Sequence, residues 1–173
     1  MADLLTHALA GYCIGIVLSF YYEWMGPEHI TLVMLGAVTP DLSKISKVVP
    51  SSTIETLLGV PFFWGGLHTL GGSVIIALLG GILVASEHRR AAIALLFLGA
   101  LSHHALDLLL LQSSGYAYPV FWPLTEYQPP AGMLYRSSDR WPALLTGTLA
   151  LILWLTKGYV ERSATDSESL TDN

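Results

Sequence analysis

The chain has 173 residues, of which 12% are charged and 53% belong to the hydrophobic set AVILMFWYC, with sixteen glycines besides; a soluble domain carries about 25% charged and about 45–50% apolar residues. That excess, with a mean hydropathy of +0.55, excludes a disordered chain and makes an integral membrane protein the leading class. A net charge of −5 leaves no basic surface to track a phosphate backbone, so no nucleic acid partner is expected. The single cysteine, Cys13, allows neither a disulfide within the chain nor a cysteine-based zinc site.

The first long uncharged run is Leu4–Tyr22, interrupted only by His7. Asp3 precedes it with no Lys or Arg, which fits a retained span better than a cleaved signal peptide. Ile30–Pro40 is apolar but too short to cross about 30 Å of hydrocarbon, and reads as a half-span packed inside the bundle. His68–Ser86 and Ala91–Gln112 are further spans, the latter carrying His103, His104 and Asp107 in its second half. The run Pro142–Thr156 is predicted to extend to Tyr159 to reach spanning length. Between these runs lie the loops Glu23–His29, Leu42–Leu67, Glu87–Arg90 and Ser113–Trp141. The last is rich in proline and aromatic residues, as suits a segment at the headgroup level. There is no internal repeat. The expectation is therefore an all-α integral membrane bundle over residues 1–160, with four long spans plus a shorter helix. Gly71, Gly72, Gly80 and Gly81 would let its backbones approach. Residues 161–173, acidic and rich in Ser and Thr, read as a disordered aqueous tail.

Alternating crossings bring the unusual polar residues to one face. His7 begins the first run there, Asp41 ends the second, His68 starts the third, and His103, His104 and Asp107 lie within two or three turns of it. Ionisable groups inside spans are costly and mark sites by default. His103 and Asp107, spaced i,i+4, share a helix face and can grip one metal ion. With His7, Asp41 and His68 the set is histidine and carboxylate only, which suits Zn²⁺, Mn²⁺ or Fe²⁺. His104 is turned about 100° from His103 along the helix, and either supports a ligand or binds from another angle. His29 and His88, in loops of the opposite face, are expected in solvent.

The ordered set Thr6-His7, Pro40-Asp41, His68-Thr69, Ser102-His103 with Asp107, and Phe121-Trp122-Pro123-Leu124 resembles the membrane-bound metal-dependent hydrolases. That group includes an inner-membrane protein of the LexA regulon, and its motifs are similar to the metal sites of zinc-dependent phospholipase C. The resemblance covers residues 1–124 and implies that His7, Asp41, His68, His103 and Asp107 are metal ligands or catalytic residues. The chain departs from the family pattern in two places. A second acid often stands two residues after the Pro-Asp, where this chain has Ser43. The middle motif often holds two histidines, and here His68 is alone, with Phe63 or Ser73 in the other position. Both departures point to one divalent ion rather than two, or to an inactive homologue.

One such ion lowers the pKa of bound water and polarises a phosphoryl or acyl oxygen. His103, His68 and Asp107 are the first ligand choices, with Asp41 a ligand or the general base and His7 a ligand or the proton donor. A site at the membrane interface suits a lipid-linked substrate, a phospholipid or an isoprenoid phosphate. The alternatives are a small ion or metal transporter using the same residues in transit, and a non-catalytic membrane scaffold. Arg89-Arg90 in the tight turn mark the opposite face as cytoplasmic, which turns the site outward from the plasma or inner membrane.

Overall fold

The computed structural model describes residues 3–171, with side chains through Ser163. Asp3 caps the first helix, α1 (Leu4–Tyr21), its Oδ1 accepting the Thr6 N–H at 2.7 Å. Gly26-Pro27 turns the chain into α2 (Pro27–Val38), with proline at the first helical position, where no N–H is needed. A 3₁₀ segment, Thr39–Lys47, follows, then the short α3 (Ser51–Leu58) and a second 3₁₀ turn, Trp64–His68. Thr69 caps α4 (Leu70–Ile82), accepting the Gly72 N–H, and Arg89 Nε donates to the Gly81 carbonyl at the other end. α5 (Arg89–Leu108) and α6 (Trp141–Thr171) complete the bundle.

Among the described residues, three helices are long and apolar enough to cross a membrane: Leu4–Tyr21, Arg89–Leu108 and the Trp141–Ser163 part of α6. The expected fourth long span is not one. The run His68–Ser86 yields only the 13 residues of α4, about 20 Å at 1.5 Å per residue. Its start is fixed by the Thr69 cap, which leaves His68 in the preceding turn. At its other end Gly80-Gly81, weak helix formers, lead into the Leu83 cap. α2 is the expected short helix, at 12 residues. The tail expected over 161–173 falls largely outside the described side chains; the α6 backbone continues as helix to Thr171.

No strand occurs among the described residues, only the isolated bridges Leu110–Tyr135 and Tyr116–Pro130. α2 lies between α1 and α5, α4 packs on α5, and α6 packs on α1 with most of its surface exposed. Gly36 and Gly99 allow α2 and α5 to cross with backbones in contact: a Cβ at Gly36 would strike the Leu96 carbonyl, and one at Gly99 the Val33 carbonyl. In α4, Gly80 is close to Leu96 and Gly81 to Ile93 of α5, whereas Gly71 and Gly72 face Trp122-Pro123 of the long loop and Gly66 of the preceding turn.

The long loop 109–140 folds back over the end of the bundle where α1 begins and α5 ends. Gly132 and Leu134 donate to the Leu108 and Leu109 carbonyls at 2.7 and 2.9 Å, and the Tyr135 hydroxyl donates to the Leu106 carbonyl at 2.8 Å. Leu70 and Gly71, at the start of α4, donate in turn to the loop carbonyls of Val120 and Trp122. Backbone groups that an apolar surrounding would leave unpaired are thus satisfied within the protein.

Candidate metal centre

Four segments bring their polar residues to that covered end. His7 comes from the first turn and a half of α1, Asp41 from the 3₁₀ segment after α2, His68 from the turn before α4, and His103 and Asp107 from α5. His7 and His103 are 0% exposed, Asp107 2% and Asp41 4%, with His68 at 9%. All five residues singled out by the sequence are therefore together and out of solvent.

Ring orientation is set by backbone carbonyls. His103 Nδ1 lies 2.8 Å from the Ala37 oxygen, and His68 Nδ1 3.2 Å from the Pro40 oxygen. A carbonyl only accepts, so each Nδ1 carries a proton, and a neutral ring then presents the Nε2 lone pair. Those Nε2 atoms face one carboxylate. His68 Nε2 is 2.9 Å and His103 Nε2 3.5 Å from Asp107 Oδ2, while His7 Nε2 is 3.4 Å from Oδ1. Lone pairs pointing at a carboxylate repel it unless a cation lies between them, either a proton or a metal ion.

The distribution of unsatisfied atoms bears on which cation. The buried side-chain atoms with no hydrogen-bond partner among the described residues are Thr6 Oγ1, both nitrogens of His7, Asp41 Oδ1 and His103 Nε2. All lie in or beside this cluster. Leaving one such group unsatisfied costs about 1–3 kcal/mol, and here such groups are concentrated at one point. Among the described residues, two triads have ligand atoms mutually within 4.8 Å: His7, His103 and Asp107, and Asp41, His68 and His103. The donor set fits a borderline divalent ion. Nδ1–H bonds to carbonyls are the usual means of fixing a ligating imidazole.

Asp41 is divided between two tasks. Lys44 Nζ donates to its Oδ2 at 2.6 Å, which leaves Oδ1 to the centre. His104, carried in the sequence as a weaker ligand, points elsewhere. Its Nδ1 is 2.6 Å from the Tyr118 hydroxyl and its Nε2 2.9 Å from Ser73 Oγ, which itself donates to the Thr69 carbonyl. With both nitrogens engaged, His104 supports the loop rather than the centre. The Tyr118 phenol is held well above its ordinary pKa by burial and by the Asp107 and Asp41 carboxylates, and so stays protonated.

Of the two positions offered for the second histidine of the middle motif, Phe63 is 75% exposed, while Ser73 sits against His104. His88 is exposed as expected. His29 is not simply solvated: half-buried, it accepts the Gly26 N–H on Nδ1 and closes the start of α2. Sequence reasoning missed Lys44, Tyr118 and the carbonyls of Ala37 and Pro40. Backbone acceptors leave no mark in a sequence, but Lys44, three residues after Asp41 in a turn-prone segment, was findable.

A cavity of about 420 Å³ reaches the centre, with His68 and Asp107 at its floor and loop residues around it. A larger groove, about 1090 Å³, opens between α1 and α6 at the opposite end, and no histidine lines it.

An all-helical membrane protein enclosing a buried centre of histidines and carboxylates is the class that fold and site define. The chain belongs to the YdjM inner membrane protein family, whose match covers residues 1–165. No curated protein and no solved structure matches it. The family's description speaks of the inner membrane and of no reaction.

Proposed function

We propose that this protein is a membrane-embedded hydrolase that uses one divalent metal ion, Zn²⁺ before Mn²⁺ or Fe²⁺, to cleave a lipid-linked phosphoester at the membrane surface. The observation that carries the reading is the pair His68 and His103. Both are locked by backbone carbonyls with Nε2 facing Asp107, amid the buried polar atoms that have no partner. His103 belongs to both possible triads and has only one unclaimed nitrogen, which supports one ion.

A divalent ion held there supplies Lewis acidity that activates water and polarises a phosphoryl oxygen. The chain's own residues do the rest. His7, His68, His103 and Asp107 would hold the ion, and the carbonyls of Ala37 and Pro40 keep the His103 and His68 rings from rotating. Asp41, with Oδ2 fixed by Lys44, presents Oδ1 as a further ligand or as the base that takes a proton. The loop 109–140 limits bulk water to the cavity above His68 and Asp107. Outward orientation from the inner membrane rests on Arg89-Arg90 at the opposite end.

The test is metal content and turnover together. Protein purified in a mild detergent and loaded with Zn²⁺ is expected to hold about one ion per chain and to release product from phospholipids or isoprenoid phosphates. His103→Ala should lose both properties. Absence of bound metal in the parent protein, or full turnover in His103→Ala, ends the hydrolase reading. Metal retention with transport into vesicles and no turnover would favour the transporter.

A further inference from the structure

We infer that the cavity above the centre is a headgroup subsite for an uncharged, hydroxyl-rich group such as glycerol or a sugar, with Gln112, Gln128 and Tyr116 deciding which lipid is taken. This rests on the hydrolase reading for the purpose of the site, but the recognition argument concerns binding alone.

The cavity runs from His68 and Asp107 past Tyr118 to a rim made by Gln112, Ser114, Tyr116 and Gln128. Among the described residues no Lys or Arg lines it, and the one carboxylate on its wall, Asp107, is turned to the three histidines. The carboxylate of a serine headgroup would therefore meet no cation along the wall. A quaternary or primary ammonium would find no carboxylate beyond the floor. The rim instead offers two carboxamides, each with a carbonyl acceptor and an NH₂ donor. Among the described residues, neither the Gln112 nor the Gln128 side chain has a hydrogen-bond partner, although Gln112 is half-buried. Paired donors and acceptors of this kind match adjacent hydroxyls, and the Tyr116 ring, 58% exposed at the mouth, offers an apolar face to the C–H side of such a group.

The rim is also built rather than loose. Ala117 donates to the Pro129 carbonyl at 2.8 Å and Ala131 to the Gly115 carbonyl at 2.9 Å. Ser114 Oγ donates to the Tyr116 carbonyl at 3.0 Å and accepts the Tyr116 N–H at 3.3 Å. These bonds tie the segment bearing Tyr116 to the one beside Gln128. Presenting polar groups on a fixed frame reduces the ordering cost of binding.

The experiment uses the full chain in detergent, with and without Zn²⁺, and measures calorimetric binding of short-chain phosphatidylglycerol, phosphatidylethanolamine and phosphatidylserine. Phosphatidylglycerol is expected to bind tightest. Gln112→Leu and Gln128→Leu should each weaken it by roughly fivefold, the equivalent of one net hydrogen bond, and bring the three lipids closer together. Gln112→Glu should raise the relative affinity for phosphatidylethanolamine, since a carboxylate now faces the ammonium. Equal binding of the three, a preference for the charged headgroups, no binding of any, or unchanged selectivity in both leucine variants overturns the assignment. Selective binding without any turnover of phosphatidylglycerol by the Zn²⁺-loaded protein would instead remove the hydrolase reading and leave the headgroup subsite standing.

Discussion

His7 and His103 stack face to face, ring centroids 3.7 Å apart and planes 20° apart, although they come from helices that enter this end of the bundle in opposite directions. Two imidazolium rings at that spacing, shielded from water, would repel each other strongly. At least one ring is therefore neutral, and the neutral form is the one that ligates a metal. The two residues also share Asp107, so they act as one unit. His7→Ala and His103→Ala should each weaken Zn²⁺ binding by more than about tenfold, or 1.4 kcal/mol. The double variant should be little worse than either, because groups that act together are not additive. Elemental analysis after dialysis at defined Zn²⁺ checks this, with exposed His88→Ala as the variant that keeps its metal. Additive losses would show the two rings to be independent.

The α2–α5 crossing predicts a remote way to damage the same centre. The Ala37 carbonyl that orients His103 sits next to Gly36, and Gly99 lies one helical turn before His103. A methyl group at Gly99 would meet the Val33 carbonyl and the Ala37 nitrogen, forcing the helices apart. Gly99→Ala should destabilise the fold by about 1–3 kcal/mol, as overpacking does, and lower metal affinity with it. Gly158→Ala, where a Cβ meets nothing within 4 Å, should be neutral. Thermal unfolding in detergent with and without Zn²⁺ separates the two. An unchanged Gly99→Ala protein would mean that the close crossing does not hold the site.

Much of this arrangement was legible from residue spacing. The i,i+4 pair His103 and Asp107, and the alternation of spans that returned His7, Asp41 and His68 to the same end, follow from helical geometry and from the cost of burying charge in lipid. What the sequence concealed has physical reasons. α4 fell short of a full span because Thr69 caps it and Gly80-Gly81 weaken its other end, features that a hydropathy run averages away. His104 was read from its position on a helix, yet its role is set by Tyr118, 14 residues on, and by Ser73 on another helix. Contacts between segments leave no periodic trace.

Alkaline pH should release the loop. The Tyr135 phenol, buried where it donates to the Leu106 carbonyl, is pushed up to about 12 by that burial and by the Asp107 and Asp3 carboxylates. The folded protein thus holds this proton more tightly than the unfolded chain, whose tyrosines titrate near 10. Its stabilising effect is full below about pH 10 and is lost as pH rises towards about 12, where the native phenol also ionises. Phenolate absorbance should show one late tyrosine, Tyr135, titrating towards about pH 12 while the more strongly raised Tyr118 phenol stays protonated, with increased proteolysis of the 109–140 loop over the same range. In Tyr135→Phe that late tyrosine should vanish, and the loop should be more readily cleaved at neutral pH because the hydrogen bond to Leu106 is gone. A loop equally protected in the variant at neutral pH would remove Tyr135 as its anchor.

His104 gives the sharpest contrast with its neighbour in sequence. Both of its nitrogens are taken, one by the Tyr118 hydroxyl and the other by Ser73 Oγ, so it has no lone pair to offer an ion. Removing it leaves the Tyr118 hydroxyl without its acceptor, at about 1–3 kcal/mol for a group left unsatisfied, while Ser73 Oγ keeps its bond to the Thr69 carbonyl. His104→Ala should therefore lower the unfolding temperature yet still bind one Zn²⁺ per chain, whereas His103→Ala should lose the ion. His104→Gln, which keeps a donor and an acceptor in one side chain, should recover part of the lost stability. If His104→Ala lost metal as completely as His103→Ala while remaining folded, the division between a ligand and a support one residue apart would be wrong. The carbonyl-locked rings of His68 and His103 would then no longer explain how the centre chooses its ligands.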